Sequence, residues 1–170
     1  MSLFRATNLA IDSAVTTLGA GTNIATAGTA KIVGQLQIPD NTAIRLIQFG
    51  WSQDVATATS TLLRIQTTDT GSTGTTAFST TLVKPVYSND SRASALTMAT
   101  TGCSYGNAGI TSRTSLRDIH SAYIPQVYVY EWPLGREPVC GNGTTENFVQ
   151  ININNTATIN IIWWMVWDEL

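Results

Sequence analysis

Asp69-Thr70-Gly71 has the residue order of the aspartic-protease triplet, so it is the first stretch whose residue types could do chemistry. That reaction needs two carboxylates that share one proton, and therefore a second triplet or a dimer. Thr67 and Thr68 precede the aspartate where an apolar strand end is expected, and a run of Gly, Ser and Thr follows it. We therefore interpret the triplet as a hairpin turn.

His120 is the single histidine, and Asp118, Ser115 and Ser121 are close to it in the sequence. These residue types could form a Ser/His/Asp triad, but near neighbours on one strand or loop converge poorly. The chain also lacks a nucleophile-elbow pattern and a phosphate-binding glycine loop. We predict a structural role for His120 and no catalytic or cofactor-binding residue in the chain.

Cys103 and Cys140 are the two cysteines, and they lack the close spacing of zinc ligands. They could pair, but two buried free thiols are the interpretation that we favour. We predict no metal site.

Tyr128, Tyr130 and Trp132 recur at the two-residue period of a strand face. Such a stripe could form a platform for a sugar ring, or it could form part of a core. We favour the core, and keep a carbohydrate-binding module as an alternative function.

The composition favours an all-β protein. Hydrophobic residues make up 43% of the 170 residues, charged residues only 12%, and 27 residues are the β-branched threonine. The net charge is −2 and the nine basic residues are scattered along the chain. Proteins that bind nucleic acid instead concentrate Lys and Arg to neutralise phosphates. We expect neither a nucleic-acid partner nor a membrane, since the longest apolar run, residues 161–167, is far shorter than the roughly 20 residues of a spanning helix.

Seven or eight strands are predicted from the alternation of apolar and polar residues between Gly, Pro and Asn turns. The clearest segments are 31–38, 43–51, 60–68, 77–83, 126–132, 147–154 and 159–168. In 43–51, strict alternation places Ile44, Leu46 and Gln48 opposite Arg45, Ile47 and Phe49. One short helix is expected over 92–98. This pattern predicts a β-sandwich, and eight strands with long connections fit a jelly roll.

Two regions are expected along the chain. Residues 1–30 are small and polar, with few apolar anchors, and are predicted to be an extended N-terminal arm that becomes ordered on a partner. Residues 31–170 are predicted to be the sandwich domain.

The last strand is apolar on both of its faces. Ile159, Ile161, Trp163, Met165 and Trp167 share one face, while Ile162, Trp164 and Val166 share the other with Asn160 and Asp168. Burial of a large apolar side chain is worth about 1.5–3 kcal/mol, so we expect the second face to be covered as well. The cover is either the chain itself or another copy of the protein.

Four segments occur in the order IRLIQFGWSQD, TSTLLRIQTTDTGSTGT, REPVC and IWWMVWDE. This succession, over about residues 31–169, resembles a loosely defined group of tailed-bacteriophage virion proteins. The group includes capsid decoration, or cement, proteins with sandwich or jelly-roll folds. The resemblance implies a protein made in the cytoplasm of the host bacterium, which clamps the major capsid protein at the capsid surface as a homo-oligomer, often a trimer. No catalytic residue is implied.

The function expected from the sequence is therefore that of a virion structural protein, most specifically a capsid decoration protein and not an enzyme. A tail, collar or fibre component is the alternative within the same class. Phe4 and Leu9 are the predicted shell contacts. Predicted positions in the core or the subunit interface are Ile162, Trp163, Trp164, Val166 and Trp167.

Overall fold

The computed structural model describes residues 2–9, 22–25, 29–54, 60–73, 75–78, 82–110, 116–141, 143 and 146–170. Over these residues the chain is all-β and forms two antiparallel sheets that face one another as a β-sandwich. The predicted fold class is confirmed.

The first sheet contains seven strands. They are β1 (Ser2–Thr7), β2 (Thr22–Ala25), β4 (Ala43–Asp54), β7 (Val83–Pro85), β10 (Val127–Glu131), β11 (Val139–Gly141) and β13 (Thr158–Glu169). Their order is β10-β4-β13-β1-β7, while β11 pairs with β4 and β2 pairs with β13. The last strand of the chain therefore lies in the middle of this sheet.

The second sheet contains six strands. They are β3 (Lys31–Gln37), β5 (Thr61–Thr68), β6 (Thr76–Ala77), β8 (Ser104–Gly109), β9 (Leu116–Ile124) and β12 (Phe148–Asn154). Their order is β6-β8-β3-β12-β5-β9. The chain passes from one sheet to the other at eight connections, so the two sheets are closely interconnected. These are β2–β3, β3–β4, β4–β5, β6–β7, β7–β8, β9–β10, β11–β12 and β12–β13.

The core lies between the sheets and is dominated by the inner face of β13. Ile159, Ile161, Trp163, Met165 and Trp167 are each at most 1% exposed. The alternation predicted for this strand is confirmed. Opposite Trp163 lies Gly34, where an added Cβ would come within 2.7 Å of the indole Cε2. The indole therefore occupies the space that a side chain at position 34 would need.

A β-bulge in β4 changes the predicted faces of that strand. Val166 pairs with Gln48 but Trp167 pairs with Leu46, which leaves Ile47 as an extra residue. Beyond the bulge Phe49 points inward with Ile44 and Leu46, and is fully buried. The predicted placement of Phe49 opposite those residues was wrong because strict alternation cannot anticipate an inserted residue.

The predicted N-terminal arm is wrong for residues 2–7. These residues form β1, which pairs with β13 on one side and with β7 on the other. Asn8 continues the attachment, since its side-chain amide donates to the Ile161 carbonyl (2.9 Å) and accepts from the Trp163 amide (2.8 Å). Strand β2 also pairs with β13, while residues 10–21 and 26–28 lie outside the described part.

Two further local predictions differ from the structure. The strand predicted over 77–83 is divided between β6 and β7, which belong to different sheets, and residues 79–81 are outside the described part. The helix expected over 92–98 is absent there, and the segment is an irregular loop. Its position is fixed by Glu169, whose carboxylate accepts hydrogen bonds from the Ser94 hydroxyl (2.5 Å) and the Ala95 amide (3.0 Å).

Two buried glutamine side chains, Gln35 and Gln150, form an amide layer on the outer face of the second sheet. Gln35 and Gln150, at most 1% exposed, lie side by side on β3 and β12 and are hydrogen-bonded to each other (3.1 Å). The loop after β5 folds back over them: Gln35 bonds the Ser72 amide (2.9 Å) and carbonyl (3.1 Å), and Gln150 donates to the Thr70 carbonyl (3.1 Å). These bonds satisfy backbone groups that the loop would otherwise bury without partners.

We expect Gly34→Ala to destabilise the fold, because the new methyl group would overlap an indole that is fully buried and cannot move aside. Overpacking of this kind costs about 1–3 kcal/mol, and each kcal/mol corresponds to a fall in Tm of about 2–4 °C for a chain of this size. Thermal denaturation followed by circular dichroism measures the effect.

Gly109→Ala is the matched control. It lies in β8 of the same sheet, and an added Cβ there meets no atom within 4 Å. An unchanged or slightly raised Tm is expected for this variant. Equal losses for both variants would show that the contact between Trp163 and Gly34 does not limit the packing of the two sheets.

Candidate assembly interface

The outer face of the first sheet carries an apolar patch that its own chain leaves partly open. We define the outer patch as Val127, Val129, Ile162, Trp164 and Val166. Val127 is 64% exposed and Val129 is 52% exposed, while the three residues of β13 are half-buried. Exposed apolar groups that adjoin one another on a sheet face are typical of contact surfaces.

The strand register makes the outer patch continuous. Val129 and Trp164 both pair with Gly50 of β4, and Val127 and Ile162 both pair with Ser52. Gly50 and Ser52 have small side chains, so no large side chain of β4 stands between the apolar residues of β10 and those of β13 at these positions. The patch therefore forms one surface that spans three strands.

Trp164 lies over Gly50, where an added Cβ would overlap its ring. The indole Nε1 donates to the Gln48 side-chain oxygen (3.2 Å), and the Arg5 guanidinium lies 5.4 Å from the ring centroid, within the range of a cation–π contact. The chain thus supplies part of the cover that was predicted for the second face of β13. Ile162, Trp164 and Val166 nevertheless remain half-buried and not fully enclosed.

Three of the predicted contact residues belong to the core. Trp163 and Trp167 are fully buried, so of the two predicted locations they occupy the core and not the subunit surface. Phe4 is 1% exposed and stacks on Trp167, with ring centroids 6.1 Å apart. The prediction that Phe4 contacts a shell was wrong, because β1 is an internal strand and Phe4 points inward.

Leu9 is half-buried at the end of β1. It lines a groove of about 390 Å³ together with Arg5, Thr7, Leu82, Lys84, Pro85 and Val86. A shell contact by Leu9 stays a prediction.

The aromatic stripe of β10 closes one open side of the sandwich. Tyr130 stacks on His120 of β9 at 4.2 Å between ring centroids, and Tyr128 is parallel to Tyr130 at 6.4 Å. Trp132 is 7% exposed and meets Tyr130 edge to face. The rings thus pack against one another and against the core, which favours the core interpretation over a sugar platform.

The residues of the conceivable triad are arranged differently from a catalytic set. The Ser121 hydroxyl bonds the Asp118 carboxylate at 2.6 Å, whereas His120 Nε2 lies 2.9 Å from the Tyr128 hydroxyl. Burial lowers the pKa of His120, and the nearby Asp118 partly opposes that shift. Ser115 lies outside the described residues. His120 therefore bridges the two sheets through its contact with Tyr128.

Asp69 lies in the turn that follows β5, but this turn is not the predicted hairpin, because the next strand, β6, does not pair with β5. Its carboxylate accepts hydrogen bonds from the hydroxyls of Thr68 and Thr70, each 3.3 Å long. The backbone of the same turn covers the amide layer. The geometry gives Asp69-Thr70-Gly71 a structural use within one chain.

Cys103 and Cys140 are free and buried, as favoured from the sequence. Burial raises the pKa of each thiol to about 12. Among the described residues, no group of three or more His, Cys, Asp or Glu side chains is placed to hold a metal ion. The described part also contains no helix that is long and apolar enough to cross a membrane.

Comparison with protein-family models and with curated proteins finds no match for the chain.

The sequence contained a signal for the two most exposed members of the outer patch. Val127 and Val129 alternate with Tyr128 and Tyr130, so an inward aromatic stripe requires an outward valine pair. That pair was not predicted as a contact, because single exposed valines are common on protein surfaces. Only the pairing of β10 with β4 shows that they adjoin Ile162 and Trp164.

We expect both thiols to be unreactive in the folded protein at pH 8. A pKa of about 12 leaves very little thiolate at that pH, and the thiolate is the form that attacks a disulfide reagent. Titration with a chromogenic aromatic disulfide should detect two thiols per chain only after addition of denaturant. Rapid reaction of either thiol in native buffer would contradict the burial of these residues.

Proposed function

We propose that the protein is a structural component of a tailed-bacteriophage virion, most specifically a capsid decoration protein that binds the assembled shell and stabilises it. The observation that carries the proposal is the outer patch, where Val127 and Val129 are more than half exposed next to Trp164. A surface of this kind suits a protein that works by contact with other subunits.

The order of the strands supports the same proposal. The eight strands β1, β3, β4, β5, β9, β10, β12 and β13 can be numbered one to eight along the chain. In that numbering the first sheet has the order 1-8-3-6 and the second has the order 2-7-4-5. This order supports a jelly roll, a fold that is frequent in viral capsid proteins but also occurs in lectins and cupins. Such a fold is compatible with each of these kinds of protein, and the exposed outer patch supports the structural role.

Among viral capsid proteins, lectins and cupins, the resemblance to phage virion proteins supports a viral structural protein. Its segments fall on β4, on β5 with the following turn, on β11 and on β13. Of the four, β4 and β13 are the longest strands and are paired with one another. The segments thus contribute the centre of the first sheet, the surface on which the proposal depends.

A carbohydrate-binding module is the less well supported function. It would need open faces on Tyr128, Tyr130 and Trp132, but the three rings contact one another and His120. A sugar would have to displace these contacts before it could stack.

Cosedimentation with emptied capsids tests the proposal. Capsids of the source phage that lack this protein are expected to bind the purified chain saturably and to withstand heating better afterwards. Capsids that already carry a full complement of the protein are the control and should bind no more. Binding to isolated tails in place of capsids would assign the protein to the tail, and binding to neither would overturn the proposal.

A further inference from the structure

In one row of residues across the outer face of the first sheet, the charges are separated by sign, whereas Arg45 and Asp168 are cross-strand partners of opposite charge in another row of that face. Glu131 lies on β10 at one edge, whereas Arg5 and Lys84 lie on β1 and β7 at the other. The register places all three in one row across the sheet: Glu131, Gln48, Val166, Arg5 and Lys84 are successive partners. The outer patch lies in and beside this row.

These charges do not neutralise one another within one chain. Glu131 and Arg5 are separated by three strand spacings, about 14 Å, which exceeds the reach of an ion pair. Among the described residues the ion pairs are Asp90–Arg92 and Arg117–Glu146, and neither involves this face. Arg5 and Lys84 are direct cross-strand partners of like charge, an arrangement that costs stability unless an anion lies nearby.

We propose that this face is a two-fold interface between two copies of the chain, packed outer face to outer face. An axis parallel to the strands, between β4 and β13, places β10 of one copy over β1 of the other and keeps every residue in its row. Glu131 then faces Arg5 of the second copy, with Lys84 alongside. The same rotation brings the two outer patches together in the centre.

The dimensions suit such a pair. Sheets that pack face to face are about 10 Å apart and nearly aligned, a gap that Glu and Arg side chains can bridge from opposite sides. Four strands by seven residues give a face of about 19 by 23 Å, or roughly 440 Å² in projection. This is smaller than the roughly 800 Å² per partner of a standard interface, so we expect a dimer that dissociates on dilution.

Two-fold symmetry follows from where the charges lie. A closed two-fold pair uses the same patch on both copies, so the acidic and the basic edge must share one face. A three-fold ring joins two different patches of each copy. Since Glu131, Arg5 and Lys84 are all on one face, the geometry favours a dimer over the trimer implied by the resemblance. The two-fold interface adds a mode of self-association to the proposed function, and it rests on that function only in one respect: the protein is taken to be a subunit that assembles.

Sedimentation equilibrium of the free chain over about 1–200 µM, the range expected for a small interface, tests the proposal. The wild-type chain should change from monomer to dimer with rising concentration. Glu131→Arg should weaken dimerisation at least tenfold, and the double variant Glu131→Arg/Arg5→Glu should recover most of that loss. Monomers throughout, trimers, or a double variant no better than Glu131→Arg would overturn the proposal.

A second pair of variants tests the apolar centre. Val129→Lys and Leu116→Lys each place a cation at an exposed strand position of similar accessibility, 52% and 54%, but Leu116 lies on the other sheet. Val129→Lys should abolish the dimer and Leu116→Lys should leave it unchanged, with both variants folded by circular dichroism. A reversed or equal response would assign self-association to another surface.

No capsid is present in these measurements. A chain that dimerises but does not bind capsids would retain this interface and lose the proposed function. A chain that binds capsids as a monomer would retain the proposed function and lose this interface.

Discussion

The contact between Trp163 and Gly34 is the constraint on which the rest of the sandwich depends. Trp163 extends from the middle of the first sheet to the backbone of β3 in the second, and its Nε1 donates to the Val33 carbonyl at 3.2 Å. Phe78 meets the same ring edge to face at 5.7 Å. Because the indole fills the space of a missing side chain, it sets both the separation of the sheets and their lateral position.

The neighbouring residue repeats this arrangement on the other side of the sheet. Trp164 lies over Gly50 as Trp163 lies against Gly34. Each of these two consecutive indoles therefore occupies the space that a side chain at a glycine position would fill. The inner indole is fully buried, whereas the outer one is half-buried beside Arg5 and Gln48. The hydrophobic end of the chain is thus accounted for on one face by the core, and on the other by a surface that a partner could complete.

The sequence predicted what depends on local alternation and missed what depends on pairing. The inner face of β13, the all-β class and the two-sheet architecture follow from a two-residue period and turn residues. The bulge at Ile47 and the position of β1 depend on which strands lie next to one another. A short N-terminal segment such as Ser2–Thr7 has a weak apolar signal, yet four of its six residues are buried because β13 and β7 pair with it on both sides.

The candidate interface, too, could be predicted from the sequence only in part. Its apolar half could be read from alternation in β10 and β13, but its charged half could not, since Arg5, Lys84 and Glu131 are far apart in sequence. They share a row only because β1, β7 and β10 join the same sheet in register with β4 and β13. The residues that suggested chemistry, Asp69 and His120, instead hold a turn and the two sheets in place. A chain whose reactive side chains fix its own fold, and whose first sheet presents an apolar face with opposite charges at its two edges, suits the role of an assembling subunit that we propose.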